Sequence, residues 1–224
     1  MEDAVRSRER ELKFSLVDPP PAPADVEALG RGGPYAFVAL GAAVHVDTYF
    51  DDEGGSLARS GWALRTRRPL APDEGDGEAH ARPPTTATLK SAGRVEDALH
   101  ERDEIEAPMS GGDWPPQVAE RLPAHVALWT LRPRLTLEVE RSSFRVAHEG
   151  RPLATLAIDR VTARLPYAER TAHFDEVEIE ALGDADEARL REAASLLDGL
   201  VRLTPSSVTK LARAAAVLEL GASF

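Results

Sequence analysis

Alternation of polar and apolar side chains, which is typical of half-buried β-strands, recurs along most of this chain. Turn-forming residues separate the alternating stretches, and Glu149-Gly150 joins two of them. The pattern predicts eight strands, over residues 9–16, 44–50, 62–68, 85–91, 98–106, 134–148, 153–164 and 170–182. So many strands with few helices favour an antiparallel barrel or sandwich.

The last part of the chain has a helical period instead. Apolar residues recur at positions 188, 190, 194, 197 and 201, and a second helix is predicted over 208–220. Residues 69–84 combine proline, glycine and acidic residues without apolar periodicity, so they predict a flexible surface loop. We therefore expect one mainly β (α+β) domain over 1–224, with the helices of 184–224 packed on its strands.

Composition and charge narrow the possible functions. The 224 residues are 42% hydrophobic and 29% charged, which is enough to bury a core. A net charge of −11 disfavours binding to nucleic acid or to an anionic membrane, so an anionic ligand needs a local cluster of cations. The absence of cysteine excludes disulfides, thiolate zinc sites and a cysteine nucleophile. A charged N-terminus and the lack of a long apolar run predict a cytoplasmic protein, and the sequence leaves open whether it is a monomer or a homodimer.

Charged residues are arranged in rows along four of the predicted strands. Because residues i and i+2 of a strand face the same side, each row shares one space. The rows are Glu9, Glu11 and Lys13; Arg65 and Arg67; Glu104 and Glu106; and Glu176, Glu178 and Glu180. Val177 and Ile179, between the last three, should face an apolar layer. Each row alone fits the wet face of an amphipathic strand, but stacked like charges favour neutralisation by Mg²⁺ or Mn²⁺ and by a polyphosphate.

The scarcity of lysine points to the same chemistry. Only Lys13, Lys90 and Lys210 occur beside 24 arginines, so these three lysines are candidates for a specific role. The six histidines are scattered without the spacing of a zinc site, and we assign them no catalytic role.

An ordered series of motifs resembles the CYTH superfamily, also called triphosphate tunnel metalloenzymes. Glu9, Glu11 and Lys13 form its ExExK pattern. The matching segments are 9–13, 47–51, 57–67, 87–90, 102–106, 131–133, 140–141, 157–159, 176–180 and 207–210. The resemblance implies an eight-stranded antiparallel closed tunnel barrel with flanking and C-terminal helices. Its lumen would bind a linear triphosphate with one or two divalent cations, Mg²⁺ or Mn²⁺.

The resemblance also implies roles for individual residues. Phosphate would be bound by Lys13, Arg65, Arg67, Lys90, Arg141 and Lys210. Metal would be held by Glu9, Glu11, Glu178 and Glu180, with Glu176, Asp159 and Glu106 as further candidate ligands. The residues expected to be catalytic are Glu9, Glu11, Lys13, Lys90 and Lys210. One cation would join Glu9 and Glu11 to the substrate, and a second, near Glu178 and Glu180, would activate the attacking water.

The expected function is metal-dependent hydrolysis of a small linear triphosphate, with inorganic tripolyphosphate favoured and no nucleic-acid partner. The alternatives are a class IV adenylyl cyclase, a nucleoside or thiamine triphosphatase, a catalytically silent polyphosphate-binding module and a purely structural barrel. In animal thiamine triphosphatases a tryptophan two residues before the Arg-x-Arg pair stacks on thiamine. Ala63 holds that position here, and Trp62 should face the other way, which weakens the thiamine alternative.

Overall fold

The computed structural model describes residues 4–70, 85–166 and 168–220. The strands in these ranges are β1 (Val5–Leu16), β2 (Tyr35–Asp51), β3 (Ala63–Leu70), β4 (Thr86–Lys90), β5 (Arg94–Glu96), β6 (Leu99–Pro108), β7 (Arg132–His148), β8 (Arg151–Arg164), β9 (Thr171–Ala181) and β10 (Leu203–Pro205). The α-helices are α1 (Pro23–Ala28), α2 (Ser56–Arg59), α3 (Pro116–Ala119), α4 (Glu187–Asp198) and α5 (Lys210–Val217). None of these helices has the length and apolar character needed to cross a membrane.

Eight of the strands close into an antiparallel ring. Their order is β1-β9-β8-β7-β2-β3-β4-β6, and residues 5–12 of β1 pair with residues 99–106 of β6 to complete the circle. The short strands β10 and β5 extend the sheet from β1 and from β6. This arrangement confirms the predicted mainly β tunnel fold with flanking and C-terminal helices.

The eight ring strands are those that the alternation predicts, but some boundaries differ. Strand β2 begins at Tyr35 rather than at residue 44, because its first half lacks alternation and contains an irregularity between Ala39 and Gly41. The three-residue strands β5 and β10 are too short to produce a pattern. Of the loop predicted over 69–84, the first two residues belong to β3, and 71–84 lie outside the described residues.

Two apolar layers cover the outside of the ring. Helices α1 and α4 pack over β1, β7, β8 and β9, where Val177 and Ile179 are buried in the apolar layer expected for them. Asp186 caps α4 by accepting a hydrogen bond from the Ala188 amide. On the other side, α2 and α3 cover β3, β4 and β6, and Leu64 is completely buried there.

Helix α5 packs against the inner face of the ring. Its Ala214 and the following Leu218 are fully buried against Leu135, Leu137 and Phe174 of β7 and β9. These strand residues point inward because they share a face with the charged rows. The helix therefore fills one part of the ring interior with apolar side chains and carries its first residue to the remaining space.

Candidate active site

The ring encloses a cavity of about 310 Å³. Inward side chains of seven strands and the start of α5 line it. The Lys and Arg residues of the lining are Lys13, Arg65, Arg67, Lys90, Arg102, Arg141 and Lys210. The acidic residues of the lining are Glu9, Glu104, Glu106, Glu178 and Glu180. Four further carboxylates are buried beside this lining, and they belong to Glu11, Asp47, Asp159 and Glu176.

The first ion-pair network joins β1 to β4 and β6. Lys90 Nζ lies 2.6 Å from Glu9 Oε1 and 2.9 Å from Glu104 Oε2. Arg102 donates from Nε to Glu9 at 2.7 Å and from Nη2 to Glu11 at 3.0 Å. Burial opposes ionisation of Glu9, but Lys90 and Arg102 outweigh it and lower the pKa of this carboxyl to about 2. Arg102 thus holds both glutamates of the ExExK pattern in place.

A second network connects β1, β7, β8 and β9. Lys13 Nζ lies 3.2 Å from Glu11 Oε1 and 2.5 Å from Glu178 Oε1. Arg141 makes a two-pronged contact with Asp159, at 2.7 Å from Nε and 2.6 Å from Nη2, and Nη2 also donates to Glu178 at 2.7 Å. Burial favours the neutral forms, but the facing charges dominate: they lower the pKa of Glu178 and raise that of Lys13.

Asp47 binds both arginines of strand β3. Its Oδ1 accepts from Arg67 Nε at 2.8 Å, and its Oδ2 accepts from Arg67 Nη2 at 2.8 Å and from Arg65 Nη1 at 3.0 Å. Asp47 is fully buried, and the two guanidinium groups hold its pKa well below the usual range despite that burial. A carboxylate behind the arginine pair therefore fixes the direction in which both guanidinium groups face the cavity.

Lys210 lies among three carboxylates at the start of α5. Its ammonium contacts Asp159, Glu176 and Glu178, at 2.9 Å from Glu176 Oε1 and 3.5 Å from Glu178 Oε1. Burial alone would lower the pKa of Lys210, but these carboxylates raise it. We call these four residues the Lys210 cluster.

The charged rows are thus partly neutralised within the protein, which corrects part of the sequence argument. Each row is single-signed or nearly so, but individual charges of opposite sign face the rows from neighbouring strands: Arg102 lies opposite Glu9, Lys13 opposite Glu178 and Lys90 opposite Glu104. Ion pairs across strands then remove the repulsion that the rows would have in isolation. For these paired residues, charge balance consequently requires neither a metal ion nor a polyphosphate.

Comparison with known families decides what this ring is. The sequence model of the CYTH domain family matches residues 7–215 of this chain. The chain belongs to the CYTH domain family. No curated protein sequence matches it significantly.

Solved structures show the same CYTH fold at low sequence identity. The Hippeastrum protein HpAC1, an adenylyl cyclase candidate with a dominant triphosphatase activity, aligns with a TM-score of 0.64 and 16% identity, over 93% of this chain and 95% of that one. An adenylate cyclase candidate from Bacillus halodurans aligns with a TM-score of 0.53 and 16% identity, over 92% and 97% of the two chains. Likeness at this identity shows the fold alone.

The structure brings all the predicted site residues into one region of the CYTH domain. Some of them line the cavity, and others are buried behind the lining. All six expected phosphate-binding side chains line the cavity. Of the expected metal ligands, Glu9, Glu106, Glu178 and Glu180 also line it. The remaining expected ligands lie deeper, and they are Glu11, Asp159 and Glu176.

Three carboxylates have a donor set suited to a divalent cation. Glu9, Glu11 and Glu180, which we call the acidic group, come from adjacent strands, with Glu11 directly opposite Glu180. Among the described residues no Lys or Arg side chain forms an ion pair with Glu180. Burial, followed by the charges of Glu9 and Glu11, raises the pKa of Glu180 to about 7. Carboxylate oxygens are the ligands that Mg²⁺ or Mn²⁺ prefers, and those of Glu180 are not engaged in an ion pair within the described part of the chain. Glu9 and Glu11 would exchange their Lys and Arg partners for the metal ion.

The Lys210 cluster fits a metal poorly, although its geometry suggests one. Ligand oxygens of Asp159, Glu176 and Glu178 lie within 4.8 Å of one another. The Lys210 ammonium already contacts all three carboxylates, so a cation there would meet a positive charge.

Sequence reasoning gave no role to Asp47 or Arg102, although both lie in matched motifs. Arg102 shares the inward face of Glu104 and Glu106, so the spacing of two could have identified it. At the position relevant to thiamine, Ala63 lines the cavity, whereas Trp62 packs with the outer apolar layer as expected.

Proposed function

We propose that this CYTH protein hydrolyses a linear triphosphate, inorganic tripolyphosphate first, with the help of a divalent cation. The observation that carries the proposal is the enclosed cavity of about 310 Å³ with seven Lys and Arg side chains in its wall. This volume is at the small end of the range for ligand sites, which suits a slim polyanion. The triphosphatase activity named for the Hippeastrum relative agrees with this choice.

When substrate binds, cationic side chains of the ion-pair network would exchange their carboxylate partners for phosphate oxygens. Lys90 and Arg102 are bound by Glu9 in the protein alone and can turn the same donors to phosphate oxygens. Arg65 and Arg67 keep Asp47 behind them, so their remaining donors stay directed at the cavity. Glu9 and Glu11, released from their cations, can then join Glu180 in holding Mg²⁺ or Mn²⁺. Triphosphate and metal ion should therefore each strengthen the binding of the other.

The side chains of this cavity suit phosphoryl transfer to water. Lys13, Lys90 and the arginine pair would neutralise charge on the transferred and leaving phosphates. When bound, the divalent cation would contribute by withdrawing charge from phosphate oxygens and acidifying a water molecule. His45 does not line the cavity, and burial followed by the charge of Arg67 lowers its pKa to about 3, so it stays neutral. No side-chain nucleophile is required.

The test is phosphate release from tripolyphosphate, thiamine triphosphate and ATP, measured with Mg²⁺, with Mn²⁺ and with a chelator. Glu11→Ala and Lys90→Ala should abolish a chelator-sensitive release. Asp103→Ala and Arg68→Ala, which remove exposed charges from the outer face of the same sheet, are the matched controls and should retain it.

Other outcomes would select an alternative. Folded protein that releases no phosphate from any substrate would refute the hydrolase. Formation of a cyclic nucleotide from ATP would then identify a cyclase. Binding of tripolyphosphate without turnover would identify a silent polyphosphate-binding module.

A further inference from the structure

Three carboxylates converge where β8 and β9 meet the start of α5. Asp159 lies directly opposite Glu176 in the sheet register, and Glu178 follows two residues later on the same face. Among the described residues they form the one set of three potential metal-binding side chains whose ligand atoms lie within 4.8 Å of one another. Such a set of like charges, closely spaced and largely buried, requires a cation to stay ionised.

The Lys210 side chain supplies that cation. Its ammonium touches all three carboxylates, and the residue is only 5% exposed. Arg141 also binds both Asp159 and Glu178, and Lys13 also binds Glu178. Each of the three carboxylates thus contacts at least one fixed cation, and a divalent ion at this set would have to displace the Lys210 ammonium.

Helix α5 fixes the position of this ammonium. Lys210 is the first residue of the helix, and Thr209 caps it by accepting from the Ala212 amide. Ala214 and Leu218, further along, are completely buried against the inner face of β7 and β9. Withdrawal of the ammonium would require a long side chain to leave a buried ion pair or the whole helix to move.

We propose that the Lys210 ammonium is a tethered substitute for a second metal ion, so that this protein binds one divalent cation, at the acidic group of Glu9, Glu11 and Glu180. Asp159 and Glu176 then serve to hold Lys210 rather than to bind metal, and Glu178 serves Lys13, Arg141 and Lys210. Lys210 acts as a positioning residue for the cavity wall. The inference rests on the proposed use of a divalent cation.

The experiment counts bound Mn²⁺ by titration calorimetry and by the electron paramagnetic resonance signal of free Mn²⁺. We expect one Mn²⁺ per chain for the unaltered protein and for Lys210→Arg, which keeps the charge. Lys210→Met should gain a second Mn²⁺, and the additional change Asp159→Asn should remove that gain. Glu180→Gln should weaken the single site of the unaltered protein at least tenfold, and Glu176→Gln should leave it within about twofold.

Each result bears on the inference separately from catalysis. Two Mn²⁺ ions or none in the unaltered protein, or a single site lost in Glu176→Gln but kept in Glu180→Gln, would overturn it. The comparison of these two glutamine variants decides the matter even where Lys210→Met does not fold. One bound Mn²⁺ without any hydrolysis would refute the proposed function and leave the inference standing. Hydrolysis by a protein with two bound ions would support the proposed function and overturn the inference.

Discussion

Two regions of the ring interior carry opposite chemistry on the same strand faces. On β7, Leu135, Leu137 and Val139 point inward and are completely buried, whereas Arg141, two residues further, lines the polar cavity. The difference comes from what each region faces: α5 covers the first, and charged side chains of β1, β3, β4 and β6 face the second. Strand alternation thus predicts which way a side chain points, while the facing element determines whether it is apolar or charged.

The apolar region should carry most of the stability. Leu137→Ala removes a fully buried side chain that packs under α5, so we expect the free energy of unfolding to fall by about 2–5 kcal/mol. Urea denaturation followed by circular dichroism measures this loss. Leu40→Ala, at a residue that is 56% exposed, is the control and should change stability by less than about 0.5 kcal/mol. Equal effects of the two changes would contradict the assignment.

The charged region should carry the activity instead. Arg67→Met removes a lining guanidinium that Asp47 orients, so kcat/KM for tripolyphosphate should fall about 10²–10³-fold. Arg68→Met, on the exposed outer face of the same strand, should leave kcat/KM within about twofold. Steady-state phosphate release measures both variants. A similar loss in each would show that strand stability, and not the cavity, explains the effect.

The two regions also differ in how far they could be predicted from the sequence. The ring strands and the inward rows follow from alternation, which is a local property of the chain. The partners of those rows depend on ring closure: Arg102 meets Glu9 across a sequence separation of 93 residues. No local pattern reports the pairing of Arg102 with Glu9 or of Asp47 with the arginines of β3, so the mutual neutralisation of the rows does not follow from the sequence alone. Lys210 is singled out by the scarcity of lysine and by the resemblance to a family, because helical periodicity alone favours a solvated lysine at a helix start.

His45 lies at the boundary between the two regions. It should make the stability of the folded protein sensitive to acid. Burial, followed by the charge of Arg67, lowers its pKa from 6.5 to about 3 in the folded state. The unfolded chain therefore takes up a proton below pH 6.5 that the folded chain does not, and stability falls as the pH falls from 6.5 toward 3. At pH 5 this single group should cost about 2 kcal/mol.

The test compares the free energy of unfolding at pH 7 and pH 5. His45→Gln, which cannot take up that proton, should lose about 2 kcal/mol less than the unaltered protein over this range. His125→Gln, at an exposed position, should follow the unaltered protein. Parallel profiles for all three proteins would place the acid sensitivity in other groups.

The smallest expected effect comes from removing the capping side chains of the two C-terminal helices. Thr209→Ala and Asp186→Ala remove the side chains that cap α5 and α4, and each should cost about 1 kcal/mol of stability. Only α5 reaches the cavity, because its first residue is Lys210. Thr209→Ala should therefore raise the KM for tripolyphosphate several-fold, whereas Asp186→Ala, on the outer layer, should leave KM unchanged. Equal KM values for the two variants would show that the start of α5 does not shape the substrate site, even though both helices contribute alike to stability.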